Sequence, residues 1–237
     1  MAWNAHTAAG IAFAALGLLF ALAAGRNLPS KKYDPAKVGP FHGPILALEF
    51  VDSPPRAAGI FTQMSHEEIR RQTRGDSYVF IPLYTVVLCA AAFLLFRWAQ
   101  VGAGSTLRIA GFALVALVTL AAAANDYREN GGIFDLLDAT EGRTPGEVAK
   151  MGELQPTLDR ISSAALAKWG LLYVTLLLVA APLLAGGGLG SAVGAILVLT
   201  GALGLASLAP PARALVEWAF LLMGLSLVTL GIWFAAL

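Results

Sequence analysis

The sequence predicts an all-α integral membrane protein, a six-transmembrane-helix bundle with a small helical and loop cap on its cytoplasmic side. Three observations lead there. Hydrophobic residues make up 57% of the chain and charged residues only 13%, too little polarity for a soluble fold. Six apolar stretches run at about 8–24, 78–98, 107–124, 168–185, 189–208 and 214–237, and each approaches the roughly 20 residues a helix needs to cross the hydrocarbon core. The charges gather in residues 25–76 and 125–167. The 237 residues are read as one polytopic domain.

The first stretch ends in Ala21-Leu-Ala-Ala24, which looks like a signal-peptidase site, but Met1-Ala-Trp-Asn-Ala-His-Thr7 has no Lys or Arg. It is therefore expected to stay as a span. The gaps after the first, third and fifth stretches share one side of the membrane and hold 14 of the 16 basic residues. The positive-inside rule makes that side cytoplasmic and puts both termini outside. Trp3, Trp98, Trp169, Trp218 and Trp233 fall near span ends and read as interfacial anchors. Cys89 stands alone in a span, so neither a disulfide nor a thiolate metal site is expected.

The first part of the cap opens with Leu28-Pro-Ser-Lys-Lys-Tyr-Asp-Pro-Ala-Lys-Val-Gly-Pro40, read as an extended segment across the bundle. Ser53 is placed to cap a helix with Ala57, Ile60, Phe61 and Met64 on one face. Ser65-His-Glu-Glu68 and Thr144-Pro-Gly-Glu147 both have the form of a capping box. Pro156 starts a polar helix leading to the fourth span.

Chemistry concentrates at the inner ends of the second and third spans. The gap between them is short, so they form an antiparallel hairpin that brings Asp76 and Asp126 to one depth. Asp126, Glu129 and Asn130 share a helical face. With Tyr84, these four residues are the candidate ligand- or cation-binding site, fit for a cation, a shared proton or a lipid headgroup. The same acids could be ordinary helix caps.

The ordered segments Pro44-Ile-Leu-Ala-Leu-Glu-Phe50, Asp76 with Phe80 and Tyr84, Asp126-Tyr-Arg-Glu-Asn130 and Lys168-Trp-Gly-Leu-Leu172 resemble signatures of an uncharacterised group of small polytopic bacterial inner-membrane proteins. The resemblance covers roughly residues 44–185 and implies a location but no activity.

Other motifs carry less. His66-Glu-Glu68 lacks the second histidine of a zinc helix, because position 70 is Arg, and His6 and His42 fall on opposite sides. Gly186-Gly-Gly-Leu-Gly190 follows no strand and lacks the Lys of a phosphate loop, while Gly190 and Gly194 have the spacing of close helix packing. Arg213 and Glu217 are spaced as a pair on one helix face, and Glu217 could instead point into the bundle. No catalytic residues or metal site are expected, and with a net charge of +1 nucleic acid is not an expected partner. Lys31, Lys32 and Lys37 form a small patch for anionic lipid headgroups. Three functions fit: a non-enzymatic subunit or scaffold packing on another membrane protein, an oligomer or lipid; a small ion- or proton-coupled carrier; and a membrane-embedded lipid-modifying enzyme.

Overall fold

The computed structural model describes residues 5–27, 33–41, 43–98 and 105–236, and every element among them is helical. The long helices are α1 (Ala5–Asn27), α6 (Ile81–Trp98), α7 (Ser105–Ala139), α9 (Gln155–Gly186), α10 (Gly188–Ser207) and α11 (Val216–Ala235). Shorter ones are α2 (Pro35–Val38), α3 (Pro44–Glu49), α4 (Pro54–Phe61), α5 (His66–Gly75) and α8 (Pro145–Val148). Among the described residues 5 helical stretches are long and apolar enough to cross a membrane: His66–Phe96, Ile109–Ala139, Gly152–Gly186, Gly188–Ser207 and Pro210–Ala235. The apolar part of α1 is the shorter Gly10–Leu19. The protein is thus an all-α, multi-pass membrane protein.

The chain forms two compact units, with boundaries inside four helices, α1, α6, α7 and α9. The first comprises Met1–Gly25, Leu83–Ala121 and Trp169–Leu237. Its helices pack through glycine. A Cβ at Gly10 would lie 2.6 Å from the Gly231 carbonyl oxygen, and one at Gly224 would lie 2.7 Å from that of Gly17. These glycines recur at seven-residue spacing, so α1 and α11 run antiparallel with their backbones touching. Gly194 similarly admits Leu183 and Leu184 of α9. The turn before α10 uses Gly187 at φ +72° and Gly188 at φ +57°, a backbone region glycine enters without a Cβ clash. The Thr200 and Ser226 hydroxyls bond at 2.7 Å between α10 and α11. Phe93 meets Phe112 edge-on at 5.7 Å, as expected for a hairpin of α6 and α7. Outward faces carry Leu117, Leu189, Leu199 and Ile232, the apolar surface that lipid requires. Trp169 departs from the anchor expectation. It is buried, with its ring 5.1 Å from Phe220 and 6.2 Å from Tyr173. Trp218 remains exposed, while Trp3 lies outside the described residues.

The second unit comprises Arg26–Pro82 and Ala122–Lys168. Of all the charged residues only Arg97, Arg108, Arg213 and Glu217 fall outside it. Its core is built from Leu46, Leu48, Ile60, Ile69, Leu136, Leu158 and Ile161. Both capping boxes form: Ser65 with Glu68 opens α5, and Thr144 with Glu147 opens α8. Ser53 stands at the N-cap of α4 without a side-chain cap bond, and its hydroxyl donates to Asp52. Part of the segment read as extended is helical. Asp34 accepts a bond from the Ala36 N–H at 3.0 Å and Pro35 opens α2, a favourable start signal. Residues 28–32 of that segment, with Lys31 and Lys32, lie outside the described residues, as does His42.

Three expected span starts and ends are not helix ends. α5 continues without a break through a π-helical turn, Asp76–Phe80, into α6. The Ile81 N–H bonds the Asp76 carbonyl five residues back, and Pro82 follows. A proline has no N–H for the usual bond four residues back, and the wider turn accommodates that loss. α7 has 35 residues, about 50 Å at 1.5 Å each, against a hydrocarbon core of about 30 Å. α9 runs from Gln155 through Lys168 into the apolar stretch as a single helix.

Candidate functional site

Asp76 and Asp126 are not caps. Asp76 begins the π-helical turn in the middle of a continuous helix, and Asp126 lies 13 residues before the end of α7. What fixes them is side-chain chemistry inside the second unit. The three- and four-residue spacing on α7 turns Asp126, Glu129 and Asn130 inward, where all three are buried, and leaves Tyr127 and Arg128 exposed.

Lys168 of α9 meets these acids. Its Nζ lies 3.0 Å from Glu129 Oε1, 2.8 Å from Glu129 Oε2, 3.3 Å from Asp126 Oδ1 and 3.0 Å from Glu49 Oε2 of α3. The side chains are nearly sealed: Lys168 is 6% exposed, Glu129 2%, Asp126 4% and Glu49 12%. Asn130 extends the cluster to the π-helical turn, donating through Nδ2 to Asp76 Oδ2 at 2.7 Å and Ser77 Oγ at 3.0 Å. Tyr127 donates to the Ser77 carbonyl at 3.0 Å, fixing the same turn from the side. The arrangement joins α3, the π-helical turn, α7 and α9.

Of the five residues singled out from sequence, Asp76, Asp126, Glu129 and Asn130 belong to this cluster. Tyr84 falls in the first unit, where it is fully buried. Sequence reasoning missed Glu49 and Lys168. Each had a signal: a lone acid within Ile45-Leu-Ala-Leu-Glu-Phe-Val51, and a lone base within Ala164-Ala-Leu-Ala-Lys-Trp169. A charge inside an apolar run must find a partner, and these two have opposite sign.

The centre on which the carboxylates converge is filled by an ammonium. Among the described residues no group of three or more His, Cys, Asp or Glu has a metal-holding arrangement. Three carboxylates face one lysine, with Asp76 as a fourth acid nearby. A buried cluster of this composition can hold helices together, and it can carry a proton shared among its acids. His66 serves elsewhere as a strut, its Nε2 2.8 Å from Thr140 Oγ and its ring centroid 4.4 Å from that of Phe61.

Fold and site together define a polytopic helical membrane protein with a buried lysine–carboxylate centre. Comparison with protein-family models, curated proteins and solved structures finds no match to the chain.

Proposed function

We propose that the protein is a non-enzymatic component of a bacterial inner membrane whose lysine–carboxylate cluster exchanges a proton, as in a small ion- or proton-coupled carrier. The observation behind this reading is the convergence of Glu49, Asp126 and Glu129 on the single buried ammonium of Lys168. A helix tie needs one carboxylate per ammonium. Several buried carboxylates in contact are hard to keep ionised together, so acids beyond that number favour a shared proton. Ionisable side chains that face the interior of membrane proteins commonly serve proton or ion relays. The groups facing Lys168 are Glu49 from α3, Asp126 and Glu129 from α7, and Asp76 from the π-helical turn. The bacterial inner membrane is supported by the resemblance over residues 44–185, and a cytoplasmic position of the charged segments by the excess of basic residues there.

The test is infrared difference spectroscopy on lipid-embedded protein between about pH 5 and pH 8. A carbonyl band of protonated carboxyl should appear with falling pH, and Glu129→Gln should change it. A parent spectrum without that band would sink the proton reading. The second reading, a subunit or scaffold, is favoured by the way the cluster ties four segments. It would then stand, and a partner protein retained through purification at native expression would support it.

A further inference from the structure

We infer that Arg71, Arg74 and Arg128 form a docking belt for anionic phospholipid headgroups at the edge of the second unit. Three cap arginines are committed to acids: Arg56 pairs with Asp52 at 2.7 Å, Arg70 with Asp138 at 2.7 Å, and Arg160 with Asp135. Arg71, Arg74 and Arg128 are different. All three are exposed, and among the described residues none has an ion pair.

Their depth follows from the pairing of α5 and its π-helical turn with α7. The contacts Arg70 to Asp138, Asn130 to Asp76 and Tyr127 to Ser77 run in antiparallel order, so Arg128 lies level with Tyr78. At 1.5 Å per residue, Arg74 is about 6 Å and Arg71 about 10 Å from Tyr78 along the axis. The apolar stretch of the second span begins at Tyr78, which puts the arginines at its polar edge. Tyr78 is 80% exposed and Tyr127 48%, as aromatic residues of a headgroup layer are. Uncompensated guanidinium groups beside phenols at this level match a phosphate that carries net negative charge. They also hold phosphate in two-point geometry, which a lysine does not. The cap as a whole is nearly charge-balanced, so the attraction is local to these residues.

The experiment uses the full chain in discs of phosphatidylcholine with a minor share of phosphatidylglycerol, reading the retained lipid by native mass spectrometry. The parent should retain phosphatidylglycerol well above its share. The Arg74→Gln/Arg128→Gln double variant should lose about fivefold enrichment per arginine, with an unchanged melting midpoint. Arg143→Gln removes an exposed charge from the turn between α7 and α8 and should keep the enrichment. The proposal is overturned if the parent retains the lipid only at its share, if the double variant matches the parent, or if Arg143→Gln lowers enrichment as much as the double change.

Discussion

At the scale of the residue, Lys168 has the largest expected effect. Removing one partner from a buried charge network leaves the others unsatisfied, and Lys168→Met should cost about 3–5 kcal/mol of stability. Arg70→Gln breaks an exposed pair of similar length and should cost no more than about 1 kcal/mol. Unfolding titrations of both variants in the same detergent test the contrast, and equal losses would mean that the cluster is solvated. Among the acids Asp126 has the longest contact to the ammonium, 3.3 Å against 2.8 Å for Glu129. Asp126→Asn should therefore be tolerated better than Glu129→Gln, a ranking the same titrations read. Asp126 and Glu129 were legible from sequence because their spacing on a helix defines a face, while Glu49, alone on a short helix, was not. Lys168 was not, since a lysine at the start of an apolar stretch usually lies at the membrane edge with its head in the polar layer. Only the continuous α9 turns it inward to meet α3, a partner 119 residues away.

At the scale of the element, helix starts were readable and helix continuity was not. The two capping boxes are local chemistry among four residues, so their sequences suffice. Ser65→Ala should cost about 1 kcal/mol. In the second box the Thr144 backbone N–H, then its hydroxyl, hold the Glu147 carboxyl below the usual range. A depressed folded value means that the contribution is present above the unfolded pKa and is lost as pH falls through the folded one. Amide protection in α8 should therefore fall on acidification, and Glu147→Gln, which removes the titrating carboxyl, should remove that pH dependence in hydrogen exchange. Protection that stays constant with pH in the parent would show the box to be inert. The π-helical turn at Asp76 gave no comparable signal. Pro82 announces some disruption of the backbone bonds, but whether a kink, a break or a wider turn results depends on the packing of Ser77 and Asp76 against Tyr127 and Asn130.

At the scale of the whole molecule the open quantity is the number of crossings, because α1 has a shorter apolar core than the other five candidates. Its packing argues for a sixth. A Cβ on Gly10 would meet the backbone of Gly231 and Ala235, and one on Gly17 would meet that of Gly224 and Val228, so α1 follows the last span for several turns in the opposite direction. A helix held backbone to backbone along a spanning helix shares its depth. Its first residues then lie level with the end of α11, on the outer side of the membrane if the basic excess faces the cytoplasm. In a Cys89→Ala background, single cysteines at Ala8 and at the exposed Leu189 should react with a membrane-impermeant thiol reagent in intact cells. A cysteine at Gly146 in α8 should react only after permeabilisation. With five crossings the Ala8 position would change sides and label like Gly146, while Leu189 would stay reactive. Labelling of Gly146 in intact cells without Leu189 would invert the whole topology. The seam has its own control in Gly17→Leu, whose side chain would have to occupy space where even a Cβ falls 2.5 Å from the Gly224 carbonyl oxygen. If that variant leaves both the melting midpoint and the Ala8 labelling unchanged, α1 does not owe its position to α11 and the argument for a sixth span fails.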